Sequence, residues 1–392
     1  MDRGLNPFAP GAGRRPPQLV GRTAEIEAFD TIVARAHNRL GNRGMVLSGL
    51  RGVGKTVLLN RLRDHAERMG WLVVALEGQR GDQADVDVRR RLGRELVIAA
   101  RRLDPPSRSE RFRRALGSIE SFKLQVGVTG VSLDVKPTAG RADSGDLETD
   151  LGELVEDLTA ALAEDGLAFG LFIDEMQDLA NSTLSTILAA QHRANQRDRP
   201  FYVIGAGLPS LPAVLTDARS YAERLFDYRR IGPLPEPAAF EALSEPVTRL
   251  GASLEPDALQ LLIDTADGYP YFLQEYGQAV WDVAPKAPFT IYDAKVAVQE
   301  GTDRLDNGFF RARWDRATPA ERKLLRAMAA DGEGSSVTRD VAARMGMSIN
   351  AIGPARSKLI GKGLVYAPEH GRIAYTVPGM AAFITRQPDD EA

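Results

Sequence analysis

The stretch GMVLSGLRGVGKTVLLNRL, Gly44 to Leu62, limits what this chain can fold into more than any other. Met45 to Ser48 reads as a buried strand, and Val57 to Met69 repeats apolar residues at helical spacing. Between them three glycines fall within six residues, followed by Lys55 and Thr56, so that Gly49, Gly52, Gly54, Lys55 and Thr56 fill G-x-x-x-x-G-K-[ST] without a mismatch. This pattern is the phosphate-binding loop. Glycines allow a backbone path that turns several N–H groups toward one anion, and the helix that starts there adds its positive end. Leu50, Arg51, Val53 and Val57 complete the backbone around the phosphates, Lys55 reaches the outer ones, and the Thr56 hydroxyl ligates Mg²⁺. A glycine turn that merely precedes a lysine shares part of the pattern. A strand before it and a helix after it select the phosphate-binding reading.

A second signature lies in LFIDEMQDL, where an apolar run ends in Asp174-Glu175. A carboxylate at such a strand end holds Mg²⁺, and its neighbour orients and deprotonates an attacking water. Asp174 is thus the expected metal ligand, with Thr56, and Glu175 the expected base, with Lys55 beside it in the catalytic set. WLVVALE (Trp71 to Glu77), FYVIGAGLP (Phe201 to Pro209) and FDYRRIGPL (Phe226 to Leu234) supply further strands. Strands alternating with helices predict an α/β core with a mostly parallel sheet covered on both faces.

At 392 residues and 43% hydrophobic content the chain suffices for two or three domains with real cores. There is no cysteine, which excludes disulfides and thiolate chemistry, and His37, His65, His192 and His370 are scattered, so any metal should arrive with a nucleotide. No stretch is apolar for long enough to span a bilayer and MDRGLNPFAPGAGRRPP lacks the hydrophobic centre of a signal peptide, so a cytoplasmic protein without membrane partners is expected. The net charge of −3 hides a split: from Phe309 to Arg386 thirteen Lys or Arg stand against six Asp or Glu.

Asp82 to Leu103 reads as an arginine-rich helix ended by Pro105-Pro106, and SFKLQVGVTGVSLDV alternates apolar residues about Gly130, which predicts a β-hairpin insertion near 121–136. Leu147 to Leu162 is amphipathic. From Pro235 to about Ala284 the pattern is helical, as in a small lid, and Glu300 to Arg316 reads as a connecting helix. Thr318-Pro319-Ala320-Glu321 is a capping box with proline at the first helical position. Two more helices and the strands of LVYAPEHGRIAYTVP follow it, the order of a winged helix-turn-helix. Pro354 predicts that the last of these helices is kinked or starts nearer Gly353. The expected divisions are an N-terminal extension (1–19), a P-loop core (20–234), a helical lid (235–300) and a connecting helix with the winged helix (301–392).

VGRTAEIEAF, GLRGVGKT, LFIDEMQDL, GYPYFL (Gly268 to Leu273) and the terminal winged helix together resemble AAA+-type ATPases of the archaeal origin-recognition and STAND (signal-transduction ATPase) kind. They look in particular like the single-chain bacterial ATP-binding proteins of that set. The resemblance implies ATP and Mg²⁺ as cofactors. It places Val20, Gly21 and Arg22 near the adenine, Pro270 near the base, and Arg224 at the γ-phosphate of its own or a neighbouring nucleotide. VIGAGLP carries no Asn, Thr or Asp where a polar γ-phosphate sensor is usual, and Pro270 stands where many AAA+ proteins keep an arginine, so slow hydrolysis is implied. Tyr269, Tyr271 and Phe272 read as lid core.

Two functions are consistent with these features. One is an ATP switch that binds double-stranded DNA through Asn350, Arg356, Lys358 and, in the wing, Arg372, since Arg and Asn can contact base edges and Lys phosphate. The other is a signalling ATPase whose winged helix packs on its own core, on a second copy or on a protein partner.

Overall fold

The computed structural model describes residues 1–11, 13–79, 84–103 and 110–388. Each apolar run of the core is a strand: β1 (Gly44–Ser48), β2 (Leu72–Glu77), β3 (Phe169–Asp174), β4 (Phe201–Gly207) and β5 (Phe226–Arg230). They form one parallel sheet in the order β2-β3-β4-β1-β5, with Gly205 of β4 opposite Val46 on one side and Ile173 on the other. Successive side chains leave a strand on opposite faces. Met45, Leu47, Tyr202 and Ile204 therefore enter one core, and Val46, Phe201 and Val203 the other.

Parallel strands need crossovers, and helices supply them. The first core is covered by α1 (Thr23–His37) and α2 (Lys55–Arg68). The second is covered by α3 (Ala84–Arg102), α4 (Glu110–Gln125), α5 (Leu147–Leu162) and α6 (Asn181–Gln196), with α7 (Leu211–Ala218) and the one-turn α8 (Ala222–Leu225) at its rim. The start expected at Asp82 and the stop at Pro105-Pro106 lie outside the described residues.

The hairpin expected near 121–136 is not formed. Helix α4 runs to Gln125, and residues 126–139 contain no strand. Phe112, Ala115, Ile119 and Phe122, spaced by three or four, bury one helical face, and this period prevails over the apparent alternation that begins at Phe122. Buried Glu120 and Lys123 pair on the helix and tie down the segment that follows it: the Leu133 N–H donates to Glu120 Oε1 at 2.5 Å and Lys123 Nζ to the Val131 carbonyl at 3.0 Å. Phe122 is fully buried and Leu124 is 57% exposed, although a strand would place both on one face. Phe122→Ala should therefore cost about 3–5 kcal/mol in a denaturant titration, whereas Leu124→Ala should stay within about 0.5 kcal/mol. Similar losses from both would restore the hairpin.

Beyond β5 the chain is helical through α9 (Glu236–Thr248), α10 (Pro256–Ala266), α11 (Pro270–Val283) and α12 (Ile291–Arg304), then a π-helical turn, Leu305–Phe310, and the short α13 (Arg311–Trp314). Next come α14 (Pro319–Ala329), β6 (Ser336–Val337), α15 (Thr338–Arg344), α16 (Ile349–Gly361), β7 (Val365–Tyr366), β8 (Arg372–Tyr375) and α17 (Met380–Thr385). The three short strands form an antiparallel sheet ordered β6-β8-β7. Thr318 and Glu321 form the expected capping box. Helix α16 does not wait for Gly353: the Ser348 hydroxyl accepts from the Ala351 N–H at 3.2 Å and starts the helix at Ile349, with Pro354 inside it.

The first core continues without a break from α1 and α2 through α9–α12 into the C-terminal helices. The N-terminal segment joins it. Trp281 Nε1 donates to the Asp2 carbonyl at 2.8 Å, Asn6 Nδ2 to Asp282 Oδ1 at 2.8 Å, and the Phe8 ring occupies space that exists because residue 277 is glycine. Among the described residues no helix is long and apolar enough to cross a membrane.

Candidate nucleotide and active site

The glycine-rich loop leaves β1 at the carboxyl end of the sheet and enters α2. Gly52 and Gly54 have φ of 89° and 91°, a region that side-chain-bearing residues rarely enter, and a Cβ on Gly49 would meet the Ile231 carbonyl. Glycine at all three positions is thus a geometric requirement of the loop. Lys55 is only 7% exposed, and its ammonium donates to the Leu50 carbonyl at 2.8 Å, within the loop itself. Burial lowers its pKa to about 8 against the opposing pull of Glu175 and Asp174. A desolvated cation held by one neutral carbonyl is stabilised by an arriving anion.

Strand β3 brings its carboxylates to the same place. Thr56 Oγ1 donates to Asp174 Oδ2 at 2.6 Å, so the two oxygens expected to share a metal already converge. Glu175 has a left-handed backbone (φ 44°), and its N–H donates to Asp174 Oδ1 at 2.9 Å. Its carboxylate accepts from Gln177 Nε2 at 2.6 Å and lies 3.5 Å from Arg51 Nη2. Gln177 in turn accepts from the Leu208 N–H at 3.1 Å, so it links the Glu175 carboxylate to the loop after β4. Strand β4 itself offers no polar sensor; Gln177, within LFIDEMQDL, is the polar group that meets its end, a connection the linear sequence did not signal.

Arg51, Lys55, Thr56, Asp174 and Glu175 line a cleft of about 360 Å³. Val20, Leu234, Ala242, Pro270 and Leu273 give it an apolar end, suited to a base, and Arg51, Lys55, Asp174 and Glu175 a charged one. Arg22 also borders the cleft, but its guanidinium clamps backbone: it donates to the carbonyls of Val53 at 3.1 Å and Gly232 at 2.6 Å. Gly21, with φ of 67°, packs against Leu234 and Ala238 and does not line the cleft. Tyr269 and Phe272 are buried, and Tyr271 reaches the cleft wall stacked on Phe309, with ring centroids 4.8 Å apart. Two contributors have no sequence signal: Ala9, Pro10, Gly11, Gly13, Arg14, Pro16 and Gln18 of the N-terminal segment, of which Gly13 lies against Thr56, and Arg313 of α13.

Arg224 is not part of this site. It is 71% exposed, paired with Glu223 at 3.3 Å, and borders a separate depression with Arg35, Arg43 and Arg199 near the amino ends of the strands. The one-turn helix α8 ends just before β5 begins, so its last turn faces the sheet edge opposite the cleft. A role at its own chain's γ-phosphate is therefore corrected.

The four residues assigned to DNA also separate. Asn350 and Lys358 are exposed on α16. Arg356 turns toward the Arg372 carbonyl at 3.3 Å, and Arg372 folds back on Ser335, donating to its hydroxyl and carbonyl at 2.8 Å each. Other cations of this part are likewise paired within the chain, in Arg344–Asp331, Lys362–Glu321 and Arg386–Asp306.

Sequence comparison agrees with this geometry. Residues 18–204 match the family described as the AAA ATPase domain, and residues 307–384 match a domain of unknown function (DUF8462). The class is thus defined for the core: residues 18–204 form an AAA ATPase domain, and the chain resembles P-loop ATPases of the AAA+ type. More particularly, it shares its fold with the Walker-type ATPase paby2304 of Pyrococcus abyssi, which is 17% identical over 97% of this chain and 99% of that one, with a TM-score of 0.57. Cdc6p of Pyrobaculum aerophilum (16% identical, 98% and 97% covered) and the Thermotoga maritima RuvB Holliday junction branch migration motor (14%, 93% and 96%) align with a TM-score of 0.45 each, too distant to argue from. No curated protein matches in sequence.

Proposed function

We propose that this protein is a slow, Mg²⁺-dependent ATPase in which the bound nucleotide sets how the C-terminal winged helix sits on the phosphate-binding loop. One observation carries this reading: the Arg51 N–H, inside the loop that would wrap the phosphates, donates to the Thr376 carbonyl just past β8, at 2.9 Å. The Arg51 guanidinium also lies over Gly363, where a Cβ would come within 3.1 Å of Nη2. Any rearrangement of the loop around phosphate is thereby felt by the winged helix.

The residues present fit a metal–nucleotide pair. Thr56 and Asp174 offer two hard oxygens 2.6 Å apart, as Mg²⁺ prefers when substrate phosphates complete its shell. Bound there, Mg²⁺ would neutralise charge on the outer phosphates. Lys55 exchanges the Leu50 carbonyl for phosphate oxygen. Glu175, oriented by Gln177, accepts a proton from the attacking water once Arg51 releases its carboxylate, and that prior release favours slow turnover. ATP hydrolysis by the intact protein, assayed with Mg²⁺ and again with excess chelator, tests this chemistry: loss of turnover in chelator is expected, and undiminished turnover would overturn the metal assignment.

Double-stranded DNA is the second reading, supported by Asn350 and Lys358 on the exposed face of α16. If they meet DNA, affinity must fall steeply with salt, and Lys358→Ala should flatten the salt slope by about one unit. Asn350→Ala should cost roughly 1–3 kcal/mol on a preferred sequence only. Fluorescence anisotropy on duplex DNA across a salt series, with and without ATP, separates the readings. Absence of binding at low salt leaves packing on the protein's own core, on a second copy or on a protein partner as the winged helix's role.

A further inference from the structure

We propose that Arg313 binds the outermost phosphate of ATP, so that the segment joining lid and C-terminal domain distinguishes ATP from ADP directly. The inference rests on the cleft being the nucleotide site and adds a residue to it that lies outside every motif. Arg313 lines the same cleft as Arg51, Lys55 and Glu175, although it comes from α13, well over a hundred residues further along the chain than any of them. Its guanidinium lies 3.9 Å from the centre of the Phe309 ring and donates to the Phe309 carbonyl one turn back. Among the described residues no ion pair to a carboxylate is found for it.

Its surroundings are wrong for a solitary cation. Burial first, and then the charges of Arg51 and Arg316, lower its pKa to about 10. A cation that is desolvated, beside like charges and without a carboxylate, is stabilised by an anion placed between it and Arg51. Arg51 marks which anion: its guanidinium is 3.5 Å from Glu175, the carboxylate that faces the water attacking the outer phosphate. The apolar end of the cleft, at Val20 and Leu273, is where the base fits and offers a guanidinium nothing to pair with.

The position of Arg313 gives the contact a consequence. Phe309, under its guanidinium, stacks on Tyr271 of the lid, and the adjacent Phe310 stacks on Phe383 of the C-terminal domain with centroids 5.4 Å apart. A phosphate that draws Arg313 inward therefore pulls on rings shared by the lid and the C-terminal domain. Loss of that phosphate frees them.

The test compares a non-hydrolysable ATP analogue, AMP-PNP, with ADP in the full chain and in Arg313→Gln and Arg313→Met, the latter keeping an apolar stem over Phe309. Calorimetric titration should show AMP-PNP affinity falling about tenfold or more while ADP affinity stays within about twofold, the loss expected for one charge-assisted contact to the phosphate absent from ADP. A parallel loss of both ligands, or no loss of either, would overturn the proposal. Should both variants fail to fold, phenylglyoxal labelling of the unaltered protein still decides. Arg313 should be protected by AMP-PNP and not by ADP, and equal labelling in the two would refute the contact. If the parent protein binds neither nucleotide, the cleft assignment itself fails, an outcome distinct from parent binding with unchanged discrimination in the variants.

Discussion

Lys55→Ala is expected to abolish tight ATP binding. In the loop the only other side-chain cation is Arg51, which is turned toward Glu175, so no group of the loop replaces the ammonium at the outer phosphates. A charge-assisted contact to phosphate in a desolvated site is a strong one, and its removal should weaken affinity by about a hundredfold, on the order of 3 kcal/mol. The fold should survive, because Lys55 contributes one hydrogen bond to a neighbouring carbonyl and its removal takes a buried charge out of the apo protein. Isothermal titration with ATP, alongside a thermal melt to confirm folding, checks both halves. Parental affinity in the variant would remove the loop from the nucleotide site.

What could be read from the sequence has a common physical character. The loop from Gly49 to Thr56 and the Asp174-Glu175 strand end are local: their conformation is set by glycine at positive φ and by an apolar run that must stop at the sheet's edge, and their chemistry is confined to neighbouring residues. The capping box at Thr318 and the helix over Leu147–Leu162 are of the same kind. The hairpin near 121–136 failed because two periods compete in one stretch. Phe122, Leu124 and Val126 alternate, yet Phe112, Ala115, Ile119 and Phe122 have the helical spacing that the core selects.

Partners that lie far apart in sequence left no such trace. Arg372 has the composition of an exposed wing cation and is instead consumed by Ser335, 37 positions earlier. Arg224 precedes β5 as expected and still faces away from its own nucleotide site. Arg313 and the N-terminal segment reach the cleft through the packing of α11 and the connecting turn, which only the assembled core determines.

Glu175→Gln is the second large effect. The amide keeps the side chain's shape and its place beside Gln177 and Arg51, but it cannot take a proton from water. ATP binding should be retained, since Lys55, Thr56 and Asp174 are untouched, while turnover should fall by about a hundredfold or more, within the 10²–10⁴ typical of a lost general base. Single-turnover assays at saturating ATP report this without interference from product release. A parental rate would place the base elsewhere.

The same variant holds ATP long enough to examine the claim on which the rest depends, that the nucleotide state is read by the C-terminal domain where it meets the phosphate-binding loop. Hydrogen exchange measured on Glu175→Gln with Mg²⁺ and ATP, and again with Mg²⁺ and ADP, follows the Arg51 amide that bonds the Thr376 carbonyl and the segment from Gly363 to Thr376. Protection of both should differ between the two nucleotides and change together, with the far face of the sheet at α5 and α6 unaffected. Identical exchange at Arg51 and at 363–376 in the ATP and ADP states would contradict a nucleotide-controlled switch and leave the C-terminal domain as a fixed cover on the ATPase core.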